Sequence, residues 1–394
     1  MKIHILGIAG TMTAPLALEL QKQGHIITGS DQEKIYPPIS DFLKNILLNQ
    51  KLPIKIDLCI VGSSYNKFKK TREEFQYIHD NHIPYMSATN YIANNVSKTN
   101  SILIAGTFGK TSITSLLAWN FTKAGFNPSY MFGGIAKNNF PSLTFTNSDY
   151  SIIEADESIN GLDKQAKFLY YPVKYLILTS ASWEHKESYA TAETNFNTFK
   201  KLIEKLPSDG LLIANKKGEN IKKLVKHSVA PVIFYESDNE IAVKLMCDHF
   251  CIPFSNDFPG IMRRLDLISN KNDILIYDDF AQSSDRIQYV IKTLLKKHPQ
   301  YNIKVLFEPH ASHLQYSIKG LGKALRSATE IVLSKISFNL NQKITFKQYR
   351  KEIGDKIIYL PLEKDIIKHY QNTLKPLDLL IHFSSSSNNI CQNI

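Results

Sequence analysis

The stretch Ser101–Trp119, SILIAGTFGKTSITSLLAW, constrains this chain more than any other. An apolar run, a glycine-bracketed turn and a Lys-Thr pair opening an amphipathic segment follow one another. That is the order strand, phosphate-cradling loop, helix N-terminus. Backbone N–H groups of such a loop and the positive end of the helix dipole face an anion. Gly106 and Gly109 let the backbone approach phosphates closely. Lys110 can reach β- and γ-phosphate oxygens, and the Thr111 hydroxyl can ligate Mg²⁺. The expectation is a site that binds and splits a nucleoside triphosphate. The common spacing, G-x-x-x-x-G-K-[ST], would put its first glycine at Ile104; here it is Gly106, and the loop is the shorter G-T-F-G-K-T.

Strand-sized apolar runs alternate with helical patterns from end to end. They are Ile3–Leu6, Leu58–Val61, Ile102–Ala105, Ser151–Ile153, Tyr175–Leu178, Leu211–Ala214, Ile274–Tyr277, Lys304–Phe307, Glu330–Leu333 and Leu379–His382. This alternation is the signature of α/β layers with mainly parallel sheets. A chain of 394 residues is too long for one such sheet. The expected organisation is three α/β domains: 1–98, Rossmann-like; 99–260, around the phosphate loop; and 261–394.

The apolar runs are far shorter than a membrane span, so no membrane insertion is expected. The apolar stretch of MKIHILGIAG runs into a strand–turn–helix pattern, which reads as the start of a mature cytoplasmic protein rather than a leader. The net charge of +11 comes from lysines spread along the chain. Without an aromatic-interleaved basic stripe, it points to anionic small substrates rather than nucleic acid. The scattered cysteines Cys59, Cys247, Cys251 and Cys391 argue against a disulfide framework. Cys247 and Cys251 are read as a core-facing pair on one helix, with a metal site around His249 as the alternative.

Three stations carry chemistry. In the first domain, strand Ile3–Leu6, turn Gly7-Ile8-Ala9-Gly10 and a helix from Thr13 to Gln23 precede strand His25–Gly29 and Ser30-Asp31. A dinucleotide would want G-x-G-x-x-G; the G-x-x-G present suits a diphosphate at a helix N-terminus, with Asp31 near a ribose or base. In the second, Ser151–Glu157 reads SIIEADE, and Glu154 at the strand end is the candidate Mg²⁺ carboxylate. The alternative is an acidic helix N-cap. Strand Tyr175–Thr179 leads to Ser182-Trp183-Glu184-His185, where His185 can ligate a second divalent ion, orient a phosphate, or be structural. In the third, Arg263-Arg264 precede a strand ending at Asp278-Asp279-Phe280, and another strand ends at Glu308-Pro309-His310. Arg264 could stabilise a transferring phosphoryl group and Asp279 could bind a ribose hydroxyl; a surface salt bridge is the competing reading.

Together these stations resemble the Mur ligases, the ATP-dependent amide-forming enzymes of peptidoglycan synthesis. G-T-F-G-K-T, Glu154-Ala155-Asp156-Glu157, Gly133-Gly134-Ile135-Ala136-Lys137-Asn138, Glu184-His185, Gly260–Arg264 and Asp278-Asp279-Phe280-Ala281 fall in family order. I-H-I-L-G-I-A-G-T, with Ser30-Asp31, Tyr36-Pro37-Pro38-Ile39-Ser40 and Glu308-Pro309, is most similar to the murein-peptide ligase branch, which serves peptidoglycan recycling. The resemblance implies a three-domain fold, from which this chain departs by a shortened central domain. It implies UDP-sugar binding by Gly7, Ile8, Gly10, Thr11, Ser30 and Asp31. ATP would be bound by Gly106, Thr107, Gly109, Lys110, Thr111, Ser112 and Asp279, and Mg²⁺ by Thr111, Glu154 and His185. Lys110, His185 and Arg264 would be the catalytic residues. The substrates implied are UDP-N-acetylmuramate and the tripeptide L-Ala-γ-D-Glu-meso-diaminopimelate, joined through an acyl phosphate by a monomer. Another amine acceptor such as L-alanine, or a non-catalytic UDP-muramyl-binding descendant, are the alternatives. The departures are Gln282-Ser283-Ser284, where the branch has His-His-Pro; His310 in place of Arg; and SSSSNNI at Ser384–Ile390 in place of a glycine-rich segment. Lys200 is read as an exposed helix lysine.

Overall fold

Among the described residues the chain forms three sheets. The structure is a computed structural model that describes every residue except 33, 34, 36–38, 50, 51, 53, 54, 184–187, 237, 310–317, 337–344 and 385–389. Tyr36-Pro37-Pro38, Glu184-His185, His310 and the centre of SSSSNNI therefore lie outside the described residues.

The first sheet contains β1 (Lys2–Leu6), β2 (Ile26–Ser30), β3 (Leu47–Leu48), β4 (Leu58–Val61) and β5 (Tyr85–Ser87). All its pairs are parallel, in the order β3-β2-β1-β4-β5. The order reverses between β1 and β4, the point at which an open α/β sheet leaves a crevice beyond its strand ends.

The second sheet contains β6 (Asn100–Ala105), β7 (Ser129–Met131), β8 (Leu143–Thr144), β9 (Tyr150–Ala155), β10 (Tyr175–Leu178), β11 (Leu211–Asn215) and β12 (Val232–Tyr235). Its order is β12-β11-β10-β6-β9-β7-β8, with only β7–β8 antiparallel. The phosphate-loop strand β6 lies between β10 and β9. That position explains its unbroken apolar run, because a central parallel strand is covered on both faces. Ile102 and Ile104 pack towards the helix Lys110–Lys123, and Leu103 and Ala105 towards the opposite face. The helix Lys110–Lys123 is itself buried along most of its length, with the helix Asn239–His249 packed beside it.

The third sheet contains β13 (Asp266–Lys271), β14 (Ile274–Asp279), β15 (Asn302–Phe307), β16 (Glu330–Leu333), β17 (Ile357–Tyr359) and β18 (Asp378–Phe383). Its order is β13-β14-β18-β15-β16-β17, parallel except at the β13 edge.

The chain divides into two compact units, Met1–Ile261 and Met262–Ile394. The first two sheets fall in one unit because a single apolar cluster runs through both, from Ile3 and Leu16 to Leu103 and Leu176. Asn160 Nδ2 also donates to Ser87 Oγ at 3.0 Å, joining the loop after β9 to the end of β5. Among the described residues no helix is long and apolar enough to cross a membrane.

The reading of Cys247 and Cys251 as one core-facing pair is corrected. The helix ends at His249, and Cys251 follows with a left-handed backbone (φ 56°), exposed, while Cys247 stays buried. The metal alternative fails with it, since among the described residues no three His, Cys, Asp or Glu side chains converge on a metal position.

Candidate active site

β6 delivers the chain to Gly106, whose φ of +120° only glycine adopts readily. A Cβ there would stand 2.2 Å from Thr179 Oγ1 and 2.7 Å from the Ser180 carbonyl oxygen. The shortened glycine spacing therefore has a local cause, the crowding of the loop against the end of β10. Thr107 makes the same junction: its N–H donates to the Ser180 carbonyl at 3.2 Å, and its hydroxyl accepts from the Ser182 N–H at 2.9 Å. Gly109 (φ +81°) is the N-cap of the helix Lys110–Lys123 and gives it no side-chain cap. The first-turn N–H groups and the positive dipole end are thus left to an incoming anion. Ser112 lies on this first turn, exposed.

Lys110 Nζ donates to the Gly106 carbonyl and to Glu157 Oε2, both at 2.7 Å. Burial alone would lower the ammonium's pKa, but the carboxylates of Glu157, Asp156 and Glu154 outweigh it and hold the pKa above its ordinary value. Lys110 is thus a cation throughout the physiological range. The Thr111 hydroxyl donates to Glu154 Oε1 at 3.0 Å, and the Gly133 N–H donates to Glu154 Oε2 at 2.6 Å. Register explains this meeting: β9 pairs with β6 so that Glu154 stands opposite Ile104, just below the loop.

No helix follows β9 directly, so the N-cap alternative for this acidic segment does not hold. Each carboxylate of Glu154-Ala155-Asp156-Glu157 has its own partner instead. Asp156 Oδ2 accepts from Lys167 Nζ at 2.8 Å, and its Oδ1 from the Ser158 N–H at 3.0 Å. The Thr111 hydroxyl and Glu154 carboxylate are a hard-oxygen pair of the kind Mg²⁺ takes when phosphate oxygens and water complete its shell, so these residues fit that ion. His185 lies outside the described residues.

At the end of β1 the turn is organised by the residues that follow β2. The Gly7 N–H donates to the Ser30 carbonyl at 2.8 Å. Asp31 Oδ2 accepts from the Ala9 N–H and Oδ1 from the Gln32 N–H, each at 2.8 Å. Burial raises the Asp31 pKa against these two backbone bonds. Asp31 therefore shapes the turn that presents Gly7, Ile8 and Gly10, while Thr11 is exposed beside it.

In the unit Met262–Ile394, Asp279 Oδ2 accepts from the Leu265 N–H and Oδ1 from the Ala281 N–H, each at 2.8 Å. Of the two neighbouring arginines, Arg263 is pinned. Its Nε donates to Asp278 Oδ2 at 2.9 Å, its Nη2 to Ser384 Oγ at 2.7 Å, and its guanidinium lies 4.2 Å from the Phe280 ring centroid. Arg264 is half-buried beside it. His382 is buried on β18, with Nδ1 3.6 Å from Asp278 Oδ1 and Nε2 4.0 Å from Glu308 Oε2.

Sequence reasoning missed two neighbours of the phosphate loop. Lys167 pairs with Asp156 across a loop whose closure no spacing rule announces. Asn239 opens the helix Asn239–His249 and stands where a Cβ on Gly109 would meet its Nδ2 at 2.6 Å. Lys200 lies on the helix Ala192–Glu204 as read, half-buried rather than exposed, 3.6 Å from Glu204.

Residues 104–255 match the family described as the Mur ligase middle domain. The UDP-N-acetylmuramate–L-alanyl-γ-D-glutamyl-meso-2,6-diaminoheptandioate ligase of Haemophilus influenzae is 26% identical over 371 residues, covering 80% of this chain and 81% of that one. The Escherichia coli protein of the same name is 32% identical over 232 residues, with 57% of this chain and 50% of that one covered. The UDP-N-acetylmuramate–L-alanine ligase of Dictyoglomus turgidum is 23% identical over 411 residues, 90% of this chain and 86% of that one. Two solved structures share the fold. They are a murein peptide ligase of Psychrobacter arcticus (TM-score 0.71, 22% identity, 100% and 97% covered) and the UDP-N-acetylmuramate–alanine ligase of Thermotoga maritima (TM-score 0.75, 18% identity, 100% and 97% covered).

Proposed function

Because residues 104–255 match the Mur ligase middle domain, we propose that the chain is an ATP-dependent ligase joining L-Ala-γ-D-Glu-meso-diaminopimelate to UDP-N-acetylmuramate. The observation that carries the reading is the Lys110–Thr111–Glu154 arrangement at an uncapped helix N-terminus. In this reading a lactyl carboxylate oxygen attacks the γ-phosphorus of ATP and the bond to the β-phosphate bridge breaks, giving ADP and an acyl phosphate. The α-amine of the peptide then attacks the acyl carbon, and phosphate leaves with the carboxylate oxygen. Lys110 and the helix N-terminus neutralise charge on the transferring phosphoryl group. Mg²⁺, when bound by Thr111 and Glu154, supplies Lewis-acid neutralisation of phosphate oxygens. Gly106, Thr107, Gly109 and Ser112 shape the phosphate cradle, and Asp279 is assigned to a ribose hydroxyl. Arg264 is assigned to the transferring phosphoryl group, and His185 to a second ion. Gly7, Ile8, Gly10, Thr11 and Ser30 would bind the UDP diphosphate, with Asp31 holding their turn.

The tripeptide acceptor is favoured by the Haemophilus and Escherichia relatives. L-alanine is the second reading, favoured by the Dictyoglomus relative, whose match spans more of the chain. The test is to incubate the protein with ATP, Mg²⁺ and UDP-N-acetylmuramate, offering tripeptide and L-alanine separately and reading products by mass. Product with tripeptide alone is expected. Product with L-alanine alone reassigns the acceptor. Absence of both, with UDP-N-acetylmuramate still bound, overturns the ligase reading.

A further inference from the structure

We propose that Glu157 is a specificity-determining residue, one that makes the phosphate loop accept a triphosphate complexed to a divalent cation and refuse a bare one. The proposal rests on the nucleotide reading above. Among the described residues, the ammonium groups of Lys110 and Lys167 and the carboxylates of Glu154, Asp156 and Glu157 stand together around the loop. A cradle for a polyanion thus holds carboxylates at its centre.

The three carboxylates are not equivalent. Asp156 is balanced by its own ammonium, Lys167, and by Ser158. Glu154 faces a hydroxyl and a backbone N–H, the position at which a hard cation finds oxygen donors. Glu157 lies on Lys110 itself. An ammonium has three N–H donors, and two of Lys110's go to Gly106 and Glu157. A phosphate oxygen taken by the third would sit roughly 4.5 Å from the Glu157 carboxylate, given ordinary bond lengths on a tetrahedral nitrogen. At that range, beside a Lys110 side chain 12% exposed and a Glu157 side chain 4% exposed, like-charge repulsion is poorly screened.

Glu157 has little room to retreat, since its side chain is 4% exposed and its carbonyl accepts from the Tyr189 hydroxyl. The repulsion is relieved by bringing a cation, not by moving the acid. A divalent ion at Thr111 and Glu154 adds two positive charges beside these carboxylates and offsets their repulsion of the triphosphate. Lys110 alone would attract free phosphate or metal-free ATP indiscriminately; the buried carboxylate at 2.7 Å removes that attraction.

The test titrates the full chain and its Glu157→Gln variant with a fluorescent non-hydrolysable ATP analogue, once in excess Mg²⁺ and once in EDTA. Glutamine keeps an oxygen for the Lys110 bond and removes the charge. We expect the metal-free affinity of Glu157→Gln to rise at least about tenfold while the Mg²⁺ complex shifts less than about threefold, compressing the metal dependence. An unchanged metal-free affinity, or equal changes in both arms, overturns the proposal. Should Glu157→Gln fail to fold by thermal melting, Glu157→Asp draws the charge back by one methylene and is expected to raise metal-free affinity by about two- to fivefold; no rise overturns the proposal equally. If the unaltered chain binds no nucleotide even with Mg²⁺, the nucleotide reading itself has failed. If it binds but the ratio is insensitive to residue 157, only this inference has.

Discussion

Substituting Gly106 by alanine tests whether the shortened loop is set by crowding against β10. The new Cβ would lie 2.2 Å from Thr179 Oγ1, 2.7 Å from the Ser180 oxygen and 2.8 Å from the Ser180 nitrogen, at a φ of +120°. Two of those atoms are backbone and cannot swing aside. The sparsely allowed backbone costs about 1–3 kcal/mol, and forcing an extra methyl into a packed contact costs another ~1–3 kcal/mol. Gly125→Ala separates the two, because Gly125 has φ +82° and nothing within 4 Å of an added Cβ. It should lose only about 1–2 kcal/mol for the left-handed backbone. The chain has two tryptophans, Trp119 and Trp183, and both lie in Met1–Ile261, so fluorescence during urea unfolding reports that unit alone. Gly106→Ala should lower its stability by roughly 2–6 kcal/mol, clearly more than Gly125→Ala, and should weaken nucleotide binding. Equal losses for the two variants, within about 0.5 kcal/mol, would refute the crowding argument.

Three further outcomes follow from the same geometry. Lys110→Met strands the buried Glu157 carboxylate and should cost about 3–5 kcal/mol in urea unfolding; adding Glu157→Gln should restore most of that stability without restoring phosphate release. Burial lowers the His382 pKa to about 3 and raises that of Asp278 to about 6. The stability contributed by His382 is therefore full above its unfolded value of 6.5 and falls away as pH drops towards about 3. That of Asp278 is full below 3.8 and lost as pH rises through about 6. NMR of ring-labelled histidine should find His382 still neutral at about pH 5, where an unperturbed imidazole is protonated; titration near the ordinary value would contradict its burial. Of the four cysteines only Cys251 is exposed, so a thiol reagent should modify one group rapidly in the native protein and the others only after unfolding.

Strands inside the sheets were legible because burial on both faces writes an apolar run. Leu58–Val61, Tyr175–Leu178 and Glu330–Leu333 begin and end where the sequence placed them. The edge strands β3, β5, β8, β12, β13 and β17 were not legible. Each stands at the edge of its sheet, half-solvated, where length and pattern give little signal. The phosphate loop could be read because its chemistry dictates residue type at fixed spacing. The pairing of each carboxylate in Glu154-Ala155-Asp156-Glu157 could not, since Lys167 and Lys110 reach them through tertiary closure alone. Asp31 and Asp279 were read as ligand-facing acids at strand ends. Both carboxylates accept one backbone N–H from their own turn and one from a distant segment, contacts that acidic sequence at a strand end does not announce.

The account's central claim is that the γ-phosphoryl group passes through the muramyl carboxylate at the Lys110–Thr111–Glu154 site. It is tested most directly with UDP-N-acetylmuramate carrying ¹⁸O in its carboxylate, turned over with ATP, Mg²⁺ and the acceptor that gives product. Phosphate released in step with amide formation should carry one ¹⁸O from the carboxylate. Phosphate free of the label would mean that ATP is hydrolysed by water, and would contradict acyl-phosphate ligation in this protein.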